Sequence, residues 1–373
     1  MKEIGLYIHI PFCKKKCLYC DFNSYIIHEE DKYIDSLCKE IKFYFKDDKY
    51  RLKTVFIGGG TPTVIKCENI GKIMDSIYPF IKKGGEITIE CNPETLKKKS
   101  IREYYKMGIN RLSIGLQAKQ NELLKTIGRI HNYEDFLFAY SLAKAQGFEN
   151  INIDLMFSLP NQTIKMWEET LINVCNLEPT HISCYSLIVE ETTPLYKLVK
   201  SGELVIPSED TDRNMYYLTE EILGYRGYKQ YEISNYAKEG YECKHNLIYW
   251  KNEEYIGVGA GSHSKLGSRR FWNVNGVNEY VFKIENNKNI IEGYEDINEE
   301  DDMWETIFLN LRLNEGLNTD DFFNKYGKGF MDIYGDVVMR LKSDGLLDIS
   351  NKSIFLTKKG KDLANEVFIK FSK

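Results

Sequence analysis

The sequence predicts an α/β fold: a parallel sheet built from six βα units, closed or partly closed as a barrel, followed by a small winged-helix-like α+β domain. Short β-rich runs alternate with segments whose apolar residues recur at helical period. Polar or glycine-rich motifs follow the ends of these runs, and the C-terminal part combines helices with a hairpin. A doubly wound open sheet is the alternative, since periodicity alone does not separate the two arrangements.

Six runs are predicted as the strands of the parallel sheet. They are Ile4–Ile10, Thr54–Ile57, Glu86–Glu90, Arg111–Gly115, Ile151–Leu155 and His181–Tyr185. Helical patterns between them cover Asp31–Phe45, Ile70–Ile81, Tyr133–Gln146 and Met166–Leu177. Because ligands bind at the carboxyl ends of parallel strands, the motifs that follow these runs are expected to form one ligand site.

The C-terminal part of the chain has a different pattern. An acidic run over residues 295–302 is predicted to start a helix over Met303–Leu313, since negative charge is favoured at a helix N-terminus. Gly345–Asp348 and Ser353–Thr357 are predicted as a hairpin, with a closing helix from Lys359. This order of elements is that of a winged helix.

These patterns divide the chain into three parts. We expect a barrel domain over residues 1–235, a linking region with a second motif over residues 236–300, and a C-terminal domain over residues 301–373. A winged-helix DNA regulator is a less favoured alternative, because fold does not imply function. The net charge of −5 also disfavours a nucleic-acid binder that relies on bulk charge.

Composition and cysteine usage point to the cytoplasm. The chain of 373 residues is 43% hydrophobic and 28% charged, which is ordinary for a globular protein. The apolar run Ile4–Ile10 is too short for a signal sequence or a membrane span. With an odd number of cysteines, nine, and no signal peptide, we expect a cytoplasmic protein with reduced thiols.

Three cysteines near the N-terminus have the spacing of an iron–sulfur site. They stand as Cys13-Lys-Lys-Lys-Cys17-Leu-Tyr-Cys20, a C-x₃-C-x₂-C pattern. Cysteine thiolates are the usual ligands of iron–sulfur clusters, and three of them leave the fourth iron of a cube open to another ligand. A structural zinc site is the alternative, but it needs a fourth ligand from His9 or a distant residue.

Further candidate residues follow the later strands. Gly58–Thr61 would let the backbone approach a ligand without interference from a Cβ atom. Tyr19 could stack a base beside a cluster, and Glu90 could accept hydrogen bonds from ribose hydroxyls or an amine. Arg129 and Asp154 could form a pair, or divide between carboxylate and ribose recognition. Taken singly, each has packing, loop chemistry or a salt bridge as an alternative role.

Together these motifs resemble the radical S-adenosylmethionine (SAM) superfamily, whose signature is C-x₃-C-x₂-C with an aromatic residue before the last cysteine. The resemblance implies a partial (β/α)₆ barrel, in agreement with the six units above. It also implies a [4Fe–4S] cluster whose open iron chelates the amino and carboxylate groups of SAM. A glycine-rich strand end would contact the methionine part of SAM.

The resemblance narrows to the oxygen-independent coproporphyrinogen III oxidase-like group and covers nearly the whole chain. It rests on Tyr7–Cys13, Gly58–Thr63, Gly115–Gln117, Arg129 and Asp154–Pro160. It implies that the cluster is bound by Cys13, Cys17 and Cys20. It implies SAM contacts by Tyr7, Gly59, Gly60, Thr61, Glu90, Gln117, Arg129 and Asp154.

Three features are similar to the haem chaperone branch of this group rather than to the oxidase. The oxidase pattern continues to a further cysteine two residues after the third, and that position is Phe22 here. The oxidase also has a long segment ahead of its first strand, whereas six residues precede Tyr7 here. A second motif of the branch, H-N-x-x-Y-W, is present as His245-Asn-Leu-Ile-Tyr249-Trp250.

This second motif suits haem, because imidazole is a common axial ligand of haem iron and aromatic rings can cover the macrocycle. His245 is the candidate haem ligand, with His263 and Cys243 as competitors; a histidine capping a turn beside packed aromatic residues is the alternative. The resemblance implies a chaperone that binds haem and transfers it to client haemoproteins, with peripheral contact to membrane-bound clients as a further expectation. The rival functions are coproporphyrinogen III oxidation and another radical SAM reaction.

Overall fold

A computed structural model of the chain describes residues 1–26, 29–47 and 49–372. The strands are β1 (Lys2–Ile10), β2 (Phe12–Cys13), β3 (Tyr25–Ile26), β4 (Tyr50–Gly59), β5 (Ile81–Cys91), β6 (Arg111–Gln117), β7 (Asn150–Phe157), β8 (His181–Ser186), β9 (Lys229–Glu232), β10 (Asn235–Ala237), β11 (Tyr255–Val258), β12 (His263–Leu266), β13 (Arg269–Asn273), β14 (Ile291–Asp296), β15 (Leu317–Asn318), β16 (Leu347–Ser350) and β17 (Ser353–Leu356). The helices are α1 (Glu30–Phe45), α2 (Cys67–Ile77), α3 (Lys98–Lys106), α4 (Asn121–Thr126), α5 (Tyr133–Gln146), α6 (Ile164–Cys175), α7 (Pro194–Lys200), α8 (Glu209–Tyr225), α9 (Lys244–Trp250), α10 (Val277–Glu285), α11 (Glu299–Asn310), α12 (Thr319–Tyr326), α13 (Phe330–Ser343), α14 (Lys358–Asp362) and α15 (Ala364–Ile369).

The large sheet decides between the barrel and the doubly wound alternative. Its strands follow the order β14-β13-β12-β11-β1-β4-β5-β6-β7-β8-β10-β9, and the run from β11 to β8 is parallel. From β1 to β8 the parallel strands lie in sequence order, so every crossover advances in the same direction. Because such crossovers are right-handed, their helices lie on one face. A doubly wound sheet reverses direction at a switch point, and the partial barrel is therefore confirmed.

All six predicted strands are present, with ends that extend beyond the predicted runs. The helix predicted over Tyr133–Gln146 has these same bounds, because the Asn132 side chain caps its first turn and Gly147 ends it in the left-handed region. The helix predicted to reach Ile81 ends at Ile77 instead. A 3₁₀ turn over Tyr78–Phe80, with a proline at its centre, breaks the helix, and β5 begins directly after it.

The two faces of the parallel strands carry different residues. On the outer face, alternate residues such as Val55, Ile57, Ile87 and Ile89 are buried and pack with the helices into the main core. The inner face is polar and is formed by Thr54, Glu86, Thr88, Glu90, Arg111, Ser113, Asn152, Asp154, His181 and Ser183. Buried polar side chains need partners or a ligand, so this face positions the candidate site.

The C-terminal part has its own core and the predicted winged-helix order. Helix α11 begins in the acidic run as predicted: Asn298 caps it, and four acidic residues occupy its first turn. The predicted hairpin is β16 and β17, which join β15 in a small sheet, and the predicted closing helix is α14. Residues of these elements form a second hydrophobic cluster.

The predicted linking region, residues 236–300, supplies α9, α10 and β11–β14. These strands extend the large sheet beyond β1, where Gly5 faces Tyr255 and Ile8 faces Val258. The limits between the three parts stay a prediction. Across the described ranges no helix combines the length and the apolar character needed to cross a bilayer.

Candidate functional site

The cysteine loop is seated on the end of β4 by backbone hydrogen bonds. The amide of Gly60 donates to the Ile10 carbonyl at 2.8 Å, and the amide of Thr61 donates to the Phe12 carbonyl at 2.7 Å. A Cβ atom at Gly60 would lie 2.6 Å from that same Phe12 oxygen and 3.0 Å from the Cys13 sulfur. Only glycine permits this approach, so the glycine-rich strand end holds the loop in place.

The sulfurs of Cys13 and Cys17 each accept a hydrogen bond from a side chain of the barrel. The Thr61 hydroxyl donates to Cys13 Sγ at 3.6 Å, and Arg129 Nη1 donates to Cys17 Sγ at 3.6 Å. Cys13 is buried, and Cys17 and Cys20 are half-buried. Burial raises the pKa values of Cys13 and Cys20, and a coordinated metal deprotonates such thiols outright. Donors at the sulfurs suit thiolate ligands of iron.

A single-ion site is a different arrangement from a cluster site. Among residues 1–26, 29–47 and 49–372, no group of three or more His, Cys, Asp or Glu side chains is placed to hold one metal ion. This finding counts against a single metal ion, such as zinc, bound by these side chains. It does not bear on a cube, whose three thiolates bind three different irons.

Arg129 is the centre of a hydrogen-bond network beside the cysteine loop. Its Nη2 donates to Asn92 Oδ1 at 2.7 Å and to the Gly115 carbonyl at 2.6 Å. Asn92 in turn donates to Thr61 Oγ1 at 3.0 Å. Burial opposes the charge on Arg129, but attraction to Tyr19 and to the neighbouring thiol outweighs it and raises the pKa of the guanidinium. The network therefore holds a fixed positive charge next to the loop.

Gln117 joins this network at the end of β6. Its backbone is left-handed, with φ of 73°, and the pairing with β7 shifts register between Gly115 and Gln117. The side chains of Arg129, Gln117 and Asn92 converge over Gly115, where a Cβ atom would lie 2.8, 3.0 and 3.2 Å from them. A glycine is required here because three polar side chains occupy the space of a Cβ atom.

Asp154 is separate from Arg129. Its two carboxylate oxygens accept from Ser113 Oγ at 2.9 Å and from Asn152 Nδ2 at 2.8 Å. Burial raises the pKa of Asp154, and these hydrogen bonds lower it in part. The sequence left open an ion pair between Arg129 and Asp154, and this alternative is wrong: among the described residues the two side chains do not pair. Each forms hydrogen bonds with different partners.

Glu90 and Tyr7 lie where the first strands of the barrel end. Glu90 Oε2 accepts from the Gly59 amide at 3.0 Å. Burial, followed by repulsion from Asp154, raises the pKa of Glu90 to about 7. The Tyr7 hydroxyl is hydrogen-bonded to His9 Nδ1 at 2.9 Å. Gly59 has φ of 112°, and a Cβ atom there would lie 2.5 Å from the His9 ring, so this position needs glycine.

A cavity of about 380 Å³ opens beside these residues. Its wall is largely aromatic and includes Tyr7, Phe22, Glu90, Tyr249, Tyr255 and His263. Phe22 is 69% exposed, so its ring lies at the rim. The position that distinguishes this chain from the oxidase pattern therefore lines the cavity next to the cysteine loop.

His245 is buried and both of its ring nitrogens have partners. Nδ1 is hydrogen-bonded to Thr54 Oγ1 and Nε2 to the Tyr249 hydroxyl, each at 2.8 Å. The ring stacks on Phe56 with centroids 5.1 Å apart. Burial, followed by repulsion from nearby cations, lowers the pKa of His245 to about 3. In this arrangement His245 is a neutral, fully bonded interior residue, as in the alternative role weighed for it above.

The two competing haem ligands differ from each other. Cys243 is buried, with its thiol 3.7 Å from Glu86 Oε1. His263 is exposed on β12, lines the large cavity and stacks on Trp272 with centroids 5.7 Å apart. No hydrogen bond to its ring nitrogens is found in the part of the chain that the structure describes. The structure thus brings His263, of the three, to the cavity with a free imidazole.

Trp250, the last residue of the second motif, contacts the C-terminal domain. The Arg312 guanidinium lies 5.5 Å from its ring centroid, and its carbonyl accepts from Asn310 Nδ2 at 2.9 Å. The ring therefore does not line the large cavity. In this structure the motif connects the barrel, through His245, to the C-terminal domain, through Trp250.

Two residues of the site were missed from the sequence. Asn92 bridges Arg129 and Thr61, and its only signal is its position directly after a strand. Arg111 opens β6 and lines a second cavity of about 220 Å³ inside the barrel, which adjoins the first at Glu90. A charged residue at the start of a predicted strand was the available signal.

The chain is similar in sequence to known proteins along most of its length. Residues 7–172 match the radical SAM superfamily, and residues 297–363 match the HemN C-terminal domain. Heme chaperone HemW of Bacillus subtilis (strain 168) is 40% identical over 368 residues, with 97% of each chain covered. Heme chaperone HemW of Escherichia coli (strain K12) is 38% identical over 275 residues, with 71% of each covered.

A solved structure has the same fold. Coproporphyrinogen III oxidase (HemN) of Escherichia coli superposes with a TM-score of 0.85 at 22% identity, covering 100% of this chain and 90% of that chain. At this identity the likeness concerns the fold alone. The assignment to a branch of the superfamily rests instead on the relatives named heme chaperone HemW, one of which is 40% identical and covers 97% of the chain. The chain therefore belongs to the HemW family of heme chaperones within the radical SAM superfamily.

Proposed function

We propose that this protein is a haem chaperone that binds haem, transfers it to client haemoproteins, and carries a [4Fe–4S] cluster and SAM. The relatives that it matches along its length are named heme chaperones. The observation that carries the proposal is the cavity of about 380 Å³, with its aromatic wall and the free imidazole of His263. The cytoplasmic location stays a prediction, and nothing in these names bears on membrane-bound clients.

Haem suits the large cavity for three reasons. Aromatic side chains stack on a flat macrocycle, and Tyr249 and Phe22 offer such rings. Imidazole nitrogen is an axial ligand of haem iron, and partial burial together with Arg270 lowers the pKa of His263, so the ring is neutral at pH 7. The exposed rim at Phe22 leaves one side open, as transfer of haem to another protein requires.

The cysteine loop suits the cluster, and its surroundings suit SAM. Cys13, Cys17 and Cys20 would hold the cluster, which when bound supplies an open iron for the amino and carboxylate groups of SAM. The contacts that we assign to SAM are Tyr7, Gly59, Gly60, Thr61, Glu90, Gln117, Arg129 and Asp154, with Tyr19 beside the cluster. Tyr7, Gly59 and Glu90 also line the large cavity, so SAM and haem would share this part of its wall. Glu90 would accept from ribose hydroxyls, and Arg129 would donate a hydrogen bond to the Cys17 sulfur.

The test is a haem titration of cluster-reconstituted wild type, His263→Ala and His245→Ala, followed by the Soret band. We expect His263→Ala to weaken haem binding at least about tenfold without changing the free energy of unfolding. His245→Ala should lower that free energy by about 1–3 kcal/mol, because Thr54 and Tyr249 lose their buried partner. Trp272→Phe, which keeps a ring against His263, is the control.

Two results would count against this proposal in different ways. Absence of a Soret shift in the wild type would contradict haem binding. Wild-type affinity in His263→Ala, with loss of binding in a fully folded His245→Ala, would return the ligand role to His245. Anaerobic turnover of coproporphyrinogen III with SAM and a reductant would instead support the oxidase, and product analysis of SAM would reveal another radical SAM reaction.

A further inference from the structure

The turn that leads to His263 covers residues 259–262, between β11 and β12. Its first residue, Gly259, has a left-handed backbone with φ of 101°. A Cβ atom there would lie 2.5 Å from the Tyr33 hydroxyl and 2.7 Å from the His9 carbonyl oxygen. Only glycine permits this approach, so the turn packs closely against α1 and the end of β1 just before the chain reaches His263.

A buried carboxylate on α1, that of Glu40, binds this turn. Glu40 is 2% exposed. Its Oε2 accepts from the Gly259 amide at 2.8 Å and the Tyr280 hydroxyl at 2.5 Å, and its Oε1 accepts from Asn273 Nδ2 at 2.7 Å. All three donors are uncharged, and in the part of the chain that the structure describes no cation pairs with this carboxylate. Because a carboxylate buried without a cation is costly, an acid at this position indicates a role in holding the turn.

Asn273 extends the contact of Glu40 to the other end of the turn. Its Nδ2 also lies 3.0 Å from the Gly259 carbonyl oxygen and 3.2 Å from Ser262 Oγ, and its backbone amide donates to the Ser262 carbonyl at 3.0 Å. The Ser262 hydroxyl in turn donates to the Gly259 carbonyl at 2.7 Å. Since Ser262 directly precedes His263, the hydrogen bonds that begin at Glu40 fix both ends of the turn.

We propose that Glu40 is a positioning residue that holds the imidazole of His263 at the large cavity. Glu40 is not among the described residues that line this cavity, so it would act through Gly259 and Asn273. The His263 ring is exposed and stacks on Trp272, and the backbone that carries the ring therefore decides where its nitrogens point. The inference rests on the proposed function, because haem iron is the ligand that this imidazole would bind.

The first experiment compares haem binding by wild type, Glu40→Ala, His263→Ala and the double variant. If Glu40 acts through His263, haem affinity should fall at least about tenfold in Glu40→Ala and no further in the double variant. The Soret and electron paramagnetic resonance spectra of Glu40→Ala should be those of His263→Ala, in which the imidazole ligand is lost. Glu40→Gln, which keeps one acceptor oxygen, should bind with an affinity between those of wild type and Glu40→Ala. Losses that multiply in the double variant, with the imidazole spectrum kept in Glu40→Ala, would show general destabilisation and overturn the proposal.

The matched control is Glu30→Ala. Glu30 is a second buried carboxylate of α1, and it likewise accepts from one backbone amide and one asparagine, the Lys66 amide at 2.9 Å and Asn69 Nδ2 at 3.0 Å. These partners lie at the start of α2. Glu30→Ala should therefore lose resistance to urea, as Glu40→Ala does, and keep the haem affinity and spectra of the wild type. Loss of the imidazole spectrum in Glu30→Ala as well would assign the effect to α1 as a whole and overturn the specific role of Glu40.

The second experiment needs no haem. In protein labelled with ¹³C at the histidine rings, the nuclear magnetic resonance signal of His263 is identified by its loss in His263→Ala. Wild type and Glu30→Ala should show this signal at one position, with restricted ring motion. In Glu40→Ala it should sharpen and move toward the shift of free histidine. An unchanged His263 signal in Glu40→Ala would overturn the proposal, whereas absence of haem binding by the wild type would contradict the proposed function alone.

Discussion

At the scale of single residues, the side chains that donate to the cysteine sulfurs are themselves positioned by hydrogen bonds from neighbouring residues. Arg129 donates to Cys17 through one terminal nitrogen, and Asn92 and the Gly115 carbonyl accept from the other and so hold the guanidinium in place. Asn92 also binds Thr61, which donates to Cys13. One amide therefore positions donors for two of the three cysteines, although it touches neither sulfur.

Asn92→Ala tests this positioning role. The variant loses two hydrogen bonds, each worth about 1 kcal/mol, and we expect the reconstituted cluster to be lost several-fold faster to an iron chelator, with the protein still folded. The decay of cluster absorbance measures this rate. Asn173→Ala, at a half-buried amide that donates to a carbonyl of its own helix far from the cysteine loop, should decay like the wild type. Equal rates in all three proteins would contradict the role of Asn92.

We expect Glu90 to make SAM binding dependent on pH. Its raised pKa of about 7 means that the carboxylate forms only as the pH rises through neutrality. If ribose hydroxyls donate to that carboxylate, SAM affinity should rise by up to about tenfold from pH 6 to pH 8, as the ionised fraction grows from about one tenth to nine tenths. Equilibrium dialysis measures this. In Glu90→Gln the slope should vanish, and an unchanged slope would exclude Glu90 as its origin.

At the scale of elements, β4 and α9 each contact parts of the protein that are distant in sequence. The glycine end of β4 seats the cysteine loop through Gly60. The short helix α9 contacts two parts of the protein. His245 is hydrogen-bonded to Thr54 of β4, and the Trp250 carbonyl accepts a hydrogen bond from Asn310 of the C-terminal domain. The motif on α9 is thus explained by packing at both of its ends.

Gly60→Ala should prevent proper seating of the loop. The added Cβ would lie 2.6 Å from the Phe12 carbonyl oxygen, so the loop must move, and we expect cluster incorporation to fall severely while the circular dichroism spectrum is kept. Iron and sulfide per chain measure incorporation. Gly224→Ala, in helix α8 with open space around it, should incorporate iron normally and gain slightly in stability. Full incorporation in Gly60→Ala would contradict the seating role.

At the scale of the whole molecule, a partly buried charge network joins the C-terminal domain to the large sheet. Asp302 contacts Lys265 Nζ at 2.6 Å, Lys325 Nζ at 2.9 Å and the Tyr326 hydroxyl at 2.6 Å. Burial would raise the pKa of Asp302, but these partners outweigh burial and lower it well below its usual value. Asp302, which the sequence placed in the acidic start of a helix, therefore also connects the C-terminal domain to the large sheet.

Asp302→Asn should lower the free energy of unfolding by about 3 kcal/mol at pH 7. This is the low end for a broken buried ion pair, because Glu305 still lies 3.6 Å from Lys265. A lowered pKa gives stability that is present above the ordinary value of 3.8 and is lost as the pH falls through the folded value. Urea unfolding should therefore show a constant difference from pH 7 to pH 5 and a shrinking one below 3.8.

Asp336→Asn, at an exposed position on α13, is the control for that measurement. It should match the wild type within about 0.5 kcal/mol at every pH. A small effect of Asp302→Asn at pH 7, comparable with this control, would contradict the role of the network in joining the two parts.

The sequence by itself determined the strands, most helices, the cysteine motif and the family. The β-rich runs of the six predicted strands (β1 and β4–β8), the cap at Asn132 and the acidic start of α11 act within a few residues, so they can be read locally. The cysteine spacing and the residues around it are equally local. These features also indicated where the ligand site lies, because parallel strands bring their ends together.

Only the tertiary structure decided what individual polar side chains do. His245 and Thr54 are 191 positions apart, and Arg129 and Cys17 are 112 apart, so no local pattern predicts either bond. The fold satisfied both nitrogens of His245 and separated Arg129 from Asp154, and among the described residues it left the ring nitrogens of His263 without a hydrogen bond. A side chain's chemistry is set by its residue type, but the donors and charges around it come from distant strands that only folding brings together.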